Sequence, residues 1–320
     1  MLTKDQRRKT KALSVLGPWS LVLYMTTAPT QQLFDSSFLR KLDRLALLTK
    51  RAMAGEMQGE RRSPRRGSSV EFADFRPYVA GDDIRQIDWN LYARMDRFYL
   101  KLMVAEEELT IHLLVDNTAS MDWGEPNKLT YARRAAGAFG YIALSSLDRV
   151  TVTALAAGGA RQMPGVRGKR GALPLFDFLQ KLPAGEGGSL LTTCRRYVQT
   201  VRNAGPLLLC SDLMDPDWQE ALRALTSRPF EITILHTLAP QELRPEIDGD
   251  FRLLDAEGGA PIEITADLDV LRRYDENLRA WRDEIESFCN GRGITYIFVD
   301  TSVPVEDFVL STLRRRGVLR

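Results

Sequence analysis

From Thr110 onward, short apolar runs alternate with amphipathic segments, and this alternation restricts the fold more than any other feature of the 320-residue chain. Residues 111–115 read as an apolar strand that ends at Asp116. A helix over 128–147 follows, with Leu129, Ala132, Ala136, Phe139, Ala143 and Leu147 on one stripe. The pattern continues with a strand at 150–155, a helix at 189–201 and a strand at 207–210 that ends at Ser211-Asp212. A helix near 218–225, a strand at 232–235 and a loop-rich insert over 239–261 come next. Leu271, Tyr274, Leu278, Trp281, Ile285 and Phe288 mark a long amphipathic helix, and 294–299 a final strand before a short closing helix. Strands separated by helices need crossover connections, which make neighbouring strands parallel. The expected fold class is α/β, a doubly wound, mainly parallel sheet with an N-terminal β-rich attachment.

That attachment is expected over 34–109. It holds a helix from Ser36 with Phe38, Leu42, Leu45 and Leu48 at helical spacing, and two β-like pieces at 70–75 and 98–104. The β-like pieces flank the dense polar segment Gly81–Arg94, a block too short for a large core of its own and expected to pack on the 110–320 domain. Four arginines within 61–66 read as a solvated loop. Residues 1–33 read as a tail. Lys4, Arg7, Arg8, Lys9 and Lys11 precede an apolar run over 13–25, too short for the ~20 residues of a membrane span. That layout resembles a signal peptide, but Pro29 disfavours cleavage after Ala28, so the segment reads as disordered or as sequence ahead of a start at Met25.

Charge and cysteine usage narrow the partners. Lys+Arg 44 against Asp+Glu 42 leaves a formal net charge of +2, too little field for a nucleic-acid coat. Cys194, Cys210 and Cys289 lack metal-ligand spacing and read as free thiols of a reducing compartment, hence a cytoplasmic protein.

In open α/β sheets, ligands sit beyond the carboxyl ends of the strands. Asp116-Asn117-Thr118-Ala119-Ser120 follows the first strand and offers a carboxylate and two hydroxyls at alternate positions. Asp212 stands at a second strand end, and Ser189 opens a helix after Gly187-Gly188. Carboxylates and hydroxyls without His or Cys make a hard-oxygen site, favouring Mg²⁺, with Mn²⁺ or Ca²⁺ as alternatives. The competing reading gives the same residues to helix caps and turns.

Asp116-Asn117-Thr118-Ala119-Ser120 resembles the metal-ion-dependent adhesion site of von Willebrand factor A domains, D-x-[ST]-x-S. The block Glu71-Phe72, Arg76-Pro77-Tyr78, Gly81-Asp82-Asp83-Ile84-Arg85, Ile87-Asp88-Trp89 and Ala93-Arg94 resembles the bacterial domain of unknown function 58 family, in which it precedes such a domain. The resemblance runs from about Phe34 to the end of the chain. It implies metal ligation by Asp116, Thr118, Ser120, Ser189 and Asp212. At Ser189 the family's usual residue is Thr, often followed by Asp, whereas Leu190 follows here, so the third hydroxyl is left to Ser189, Thr192 or Thr193. The resemblance further implies a non-enzymatic module that works with a MoxR-type AAA ATPase in assembling or maturing other complexes. An acidic side chain of the partner would complete the metal site. Asp82, Asp83, Arg85, Asp88 and Arg94 are expected to form an internal ion-pair network or a second partner surface.

Enzyme readings fit less well. A Mg²⁺-dependent phosphoryl-transfer enzyme or phosphatase using Asp116 as nucleophile would want an acid two residues on, where Thr118 stands. No G-x-S-x-G elbow is present, and His112 and His236 lie in or beside strands. Residues 165–169 are spaced wrongly for a phosphate loop and read as a surface loop. A metal-independent scaffold is the remaining alternative.

Overall fold

The computed structural model describes residues 33–45, 70–105, 109–155, 161–184, 189–245, 249–253, 262–316 and 318. The expected tail, the arginine run at 61–66 and Gly187-Gly188 lie outside these residues. The central sheet has six strands: β3 (Thr110–Asp116), β4 (Arg149–Leu155), β5 (Arg161–Arg167), β6 (Pro206–Ser211), β7 (Glu231–Leu238) and β10 (Thr295–Asp300). They run in the order β10-β7-β6-β3-β4-β5, all parallel except β5, which pairs antiparallel with β4 at the edge. The chain starts in the middle at β3, builds outward through β4 and β5, then returns to β6 and builds the other way. The winding reverses between β3 and β6, so the connections diverge there and leave a crevice at the strands' carboxyl ends.

Alternation along the strands divides the core in two. Ile111, Leu113 and Val115 of β3 and Leu208 and Cys210 of β6 face one cluster, while Leu114, Leu207 and Leu209 face the other. The first cluster is covered by α3 (Lys128–Ser145) and α4 (Ala172–Gln180), the second by α5 (Leu190–Thr200), α6 (Trp218–Thr226) and α8 (Leu268–Asn290). Coverage on both faces explains why β6 is buried at every position and carries an unbroken apolar run.

Several expectations are revised. Residues 165–167 end β5, and Gly168 turns the chain at φ +67 in place of the expected surface loop. Pro164 and Gly165 are tolerated because β5 is an edge strand. The expected 34–109 region divides: α1 (Ser36–Leu42), capped by Asp35 on the Phe38 amide at 2.7 Å, places Phe34, Phe38, Leu42 and Leu45 in the first core cluster. The antiparallel pair β1 (Val70–Pro77) and β2 (Tyr99–Ala105), with α2 (Trp89–Met95) between them, has Ile87 and Leu100 as buried residues outside both clusters. The insert after β7 contains α7 (Pro240–Leu243) and a second antiparallel pair, β8 (Gly249–Leu253) with β9 (Ile262–Ala266). Among the described residues, no helix is long and apolar enough to cross a membrane.

Gly205 marks how closely the central strands approach. A Cβ there would lie 2.3 Å from the Thr110 carbonyl oxygen, a backbone atom that cannot step aside. Gly205→Ala is expected to destabilise the protein by about 1–3 kcal/mol. At Gly291 a Cβ would meet nothing closer than 3.5 Å, so Gly291→Ala is expected to stay within about 0.5 kcal/mol. Urea unfolding of the two variants checks the contrast.

Candidate functional site

The parallel register pairs Val115 with Cys210, bringing Asp116 level with Ser211 where both strands end. Ser211 Oγ donates to Asp116 Oδ2 at 2.6 Å. Asp116 Oδ1 accepts from the Thr118 amide at 3.0 Å and from Thr118 Oγ1 at 2.8 Å. Thr118 Oγ1 and Ser120 Oγ are 3.0 Å apart in a further hydrogen bond. The turn Ala119–Met121 that presents Ser120 is anchored by Met121, which is fully buried. Three of the sequence-predicted ligands therefore form one continuous hydrogen-bonded group.

Asp212 joins them electrostatically. Burial, and then the charge of Asp212, push the Asp116 carboxyl up to about 7. The group is short of positive charge. Asn117 adds a buried Oδ1 acceptor with no hydrogen-bond partner among the described residues, its Nδ2 being used on the Pro183 carbonyl at 2.9 Å. Hard oxygens, a buried carboxylate disfavoured in its charged form and a spare acceptor fit a hard divalent cation. No set of three His, Cys, Asp or Glu side chains with metal-ligating geometry is present among the described residues, so any such site relies on hydroxyls.

Ser189 is placed differently. It caps α5, its Oγ accepting from the Thr192 amide at 3.3 Å, and it shares no hydrogen bond with the other four residues. Thr193 Oγ1 donates to the Ser189 carbonyl at 3.2 Å. The start of α5 is nevertheless tied to the Asp212 loop, because the Leu190 amide donates to Asp215 Oδ2 at 2.7 Å.

Sequence reasoning missed two members of the site. Lys128 Nζ, wholly buried, lies 2.8 Å from Asp212 Oδ2 and 2.5 Å from Glu242 Oε1. Burial is the first cause raising the Glu242 carboxyl, against which Lys128 acts. A lysine opening a helix, where the dipole repels a cation, is the signal that was available. Beside the Asp212 loop, Met214, Trp218, Tyr274, Leu278 and Trp281 line a largely apolar cleft of about 420 Å³.

The polar block at 81–94 forms local contacts. Arg76 pairs with Asp82 at 2.8 Å, and Asp82 also accepts from the Val79 amide. Asp83 caps the turn at Arg85, and Asp88 caps α2 through the Asn90 and Leu91 amides. Arg85 and Arg94 are exposed. Above them, Tyr92 stacks on Phe98 with ring centroids 4.5 Å apart.

Residues 74–284 match the family described as "Protein of unknown function DUF58". The chain belongs to the DUF58 family. An uncharacterized protein of Mycobacterium bovis, Mb1516, is 29% identical over 299 residues, covering 89% of this chain and 92% of that one. Among solved structures, BatB from Bacteroides thetaiotaomicron is similar with a TM-score of 0.41 and 15% identity, over 65% of this chain and 98% of that one. The SpRpn10 VWA domain is similar with a TM-score of 0.39 and 8% identity, over 64% and 94%. The architecture of this DUF58 member rests on the strand order given above.

Both histidines of the DUF58 chain are interior groups. His236 Nδ1 bonds Tyr296 Oη at 2.7 Å, and His112 Nδ1 bonds Tyr197 Oη at 2.6 Å. Burial lowers His112 to about 4, with Arg228 adding to the effect. Folded His112 is therefore neutral, while the unfolded chain takes up a proton below about pH 6.5. Stability from this group is present above pH 6.5 and is lost as pH falls toward 4, by about 3 kcal/mol at the limit. Urea midpoints measured between pH 7 and 4 are expected to fall less steeply for His112→Gln than for the wild type.

Proposed function

We propose that this DUF58 protein is a non-enzymatic interaction module that docks a protein partner through a divalent cation held at the β3–β6 crevice. The observation that carries the reading is the hydrogen-bonded group Asp116–Thr118–Ser120, buried beside Asp212 at the topological switch point with unbalanced negative charge. Asp116, Thr118, Ser120 and Asp212 would hold the cation, with Ser189, Thr192 or Thr193 as the source of a further hydroxyl. Mg²⁺ suits these oxygens, and Mn²⁺ or Ca²⁺ would be accepted less selectively. When bound, such an ion supplies an open position for a carboxylate oxygen from another protein.

The protein's own groups prepare that position. Ser211 and Thr118 hold both Asp116 oxygens, fixing the carboxylate before a partner arrives. The adjacent cleft offers Met214, Tyr274 and Trp281 to apolar side chains flanking an acidic one. The partner suggested by family resemblance is a MoxR-type AAA ATPase. Buried, unpaired thiols at Cys194, Cys210 and Cys289 support a cytoplasmic setting. An enzymatic role for Asp116 has less support, because the residue two positions on is a hydroxyl already engaged with it.

The test is a pull-down of tagged protein from native lysate with Mg²⁺, with chelator, and with Asp116→Ala, identifying partners by mass spectrometry. An AAA ATPase is expected only with Mg²⁺ and intact Asp116. Identical partners under all three conditions would overturn the metal-dependent reading.

A further inference from the structure

We infer that Lys128 is a positioning residue for the crevice: its ammonium pins Asp212 and couples that carboxylate to Glu242 of α7. The inference rests on the cation reading above and says how one of its ligands is set in place.

Lys128 is the first residue of α3, and its side chain is 0% exposed. Both circumstances oppose a cation. The helix N-terminus repels positive charge, and burying an ammonium costs several kcal/mol unless it is paired. Lys128 Nζ meets Asp212 Oδ2 at 2.8 Å and Glu242 Oε1 at 2.5 Å. These partners lie 84 and 114 residues further along the chain, so the ammonium joins α3, the β6 loop and α7 at one point.

Each carboxylate is also held by its second oxygen. Asp212 Oδ1 accepts from the Met214 amide at 3.2 Å, and Glu242 Oε2 accepts from the Ala239 amide at 2.7 Å. Between Asp212 and Met214, Leu213 takes a left-handed conformation at φ +54, unusual for a branched side chain. Burial of Leu213 and a 3.0 Å bond from its amide to Ser211 Oγ hold it there. Ser211 Oγ in turn donates to Asp116. Asp212 is thus set by a rigid, strained loop on one side and by Lys128 on the other. Tyr274 Oη donates to the Glu242 carbonyl at 2.6 Å, extending the linkage to α8 and the apolar cleft.

The charge balance has the same sense. Asp116, Asp212 and Glu242 face one ammonium, a formal excess of two negative charges. Lys128→Met with Glu242→Gln keeps that excess but releases Asp212. Charge alone then predicts unchanged Mg²⁺ affinity, whereas positioning predicts a loss.

Calorimetric titration of the full chain with MgCl₂ separates the two. Replacing a buried ion pair by apolar and neutral groups is often tolerated, so the double variant is expected to keep its urea midpoint. Its Mg²⁺ affinity is expected to fall about 10–100-fold, as for other groups that orient ligands. Glu242→Gln alone, which leaves the Lys128–Asp212 bond, is expected to stay closer to the wild type than the double variant does. Wild-type affinity in the double variant would overturn the role of Lys128. Absence of Mg²⁺ binding by the wild type would instead overturn the cation reading, and this inference with it. If the double variant fails to fold, amide exchange on the wild type decides. A pinned loop shows the same protection at Met214 with and without Mg²⁺, while protection that appears only with Mg²⁺ would overturn the proposal.

Discussion

Asp116 and Asp212 are buried side by side at the carboxyl ends of neighbouring parallel strands, and the rest of the site is arranged around that juxtaposition. Carboxylates in a low-dielectric interior repel each other and lose hydration, so each must be held by donors or balanced by a cation. Ser211, Thr118 and the Thr118 amide serve Asp116, and Lys128 and the Met214 amide serve Asp212. The donors serving Asp116 carry no charge, which leaves the crevice with an appetite for positive charge from outside.

The fold keeps this arrangement rigid. A sheet buried on both faces places β3 and β6 in fixed register, and the close approach of Gly205 to Thr110 leaves little room for sliding. Divergent crossovers on the two sides open the crevice without weakening the sheet. The helix α8 reaches from the second core cluster, through Ile285 and Cys289, to the cleft beside the Asp212 loop at Tyr274. Ligand-bearing loops and the adjacent cleft are therefore parts of one packed structure, as a docking surface with little reorganisation requires.

Legibility in the sequence followed the strength of local patterning. Apolar runs gave β3, β6 and β7 within a few residues, because strands buried on both faces need continuous apolar sequence. The edge strand β5 escaped, since RQMPGVR carries a proline, a glycine and three polar residues that a one-sided pairing tolerates. Helix α4 was also missed, its Pro174 sitting in the first turn where the missing amide proton does no harm. The first helix was read correctly, but its docking into the α/β core was not, because an amphipathic stripe does not say which core it faces.

The sequence by itself determined the chemistry at the strand ends: Asp116, Thr118 and Ser120 are close neighbours in the chain, and a strand-terminal turn needs nothing distant to gather them. It also determined the parallel α/β class, through the alternation of apolar runs and amphipathic segments. Tertiary structure alone decided that Ser211 would brace Asp116, that Ser189 would be occupied in capping α5, and that Lys128 would link Asp212 to Glu242. Those bonds depend on strand register, crossover direction and burial, which act between distant segments and leave no periodic trace in any one of them.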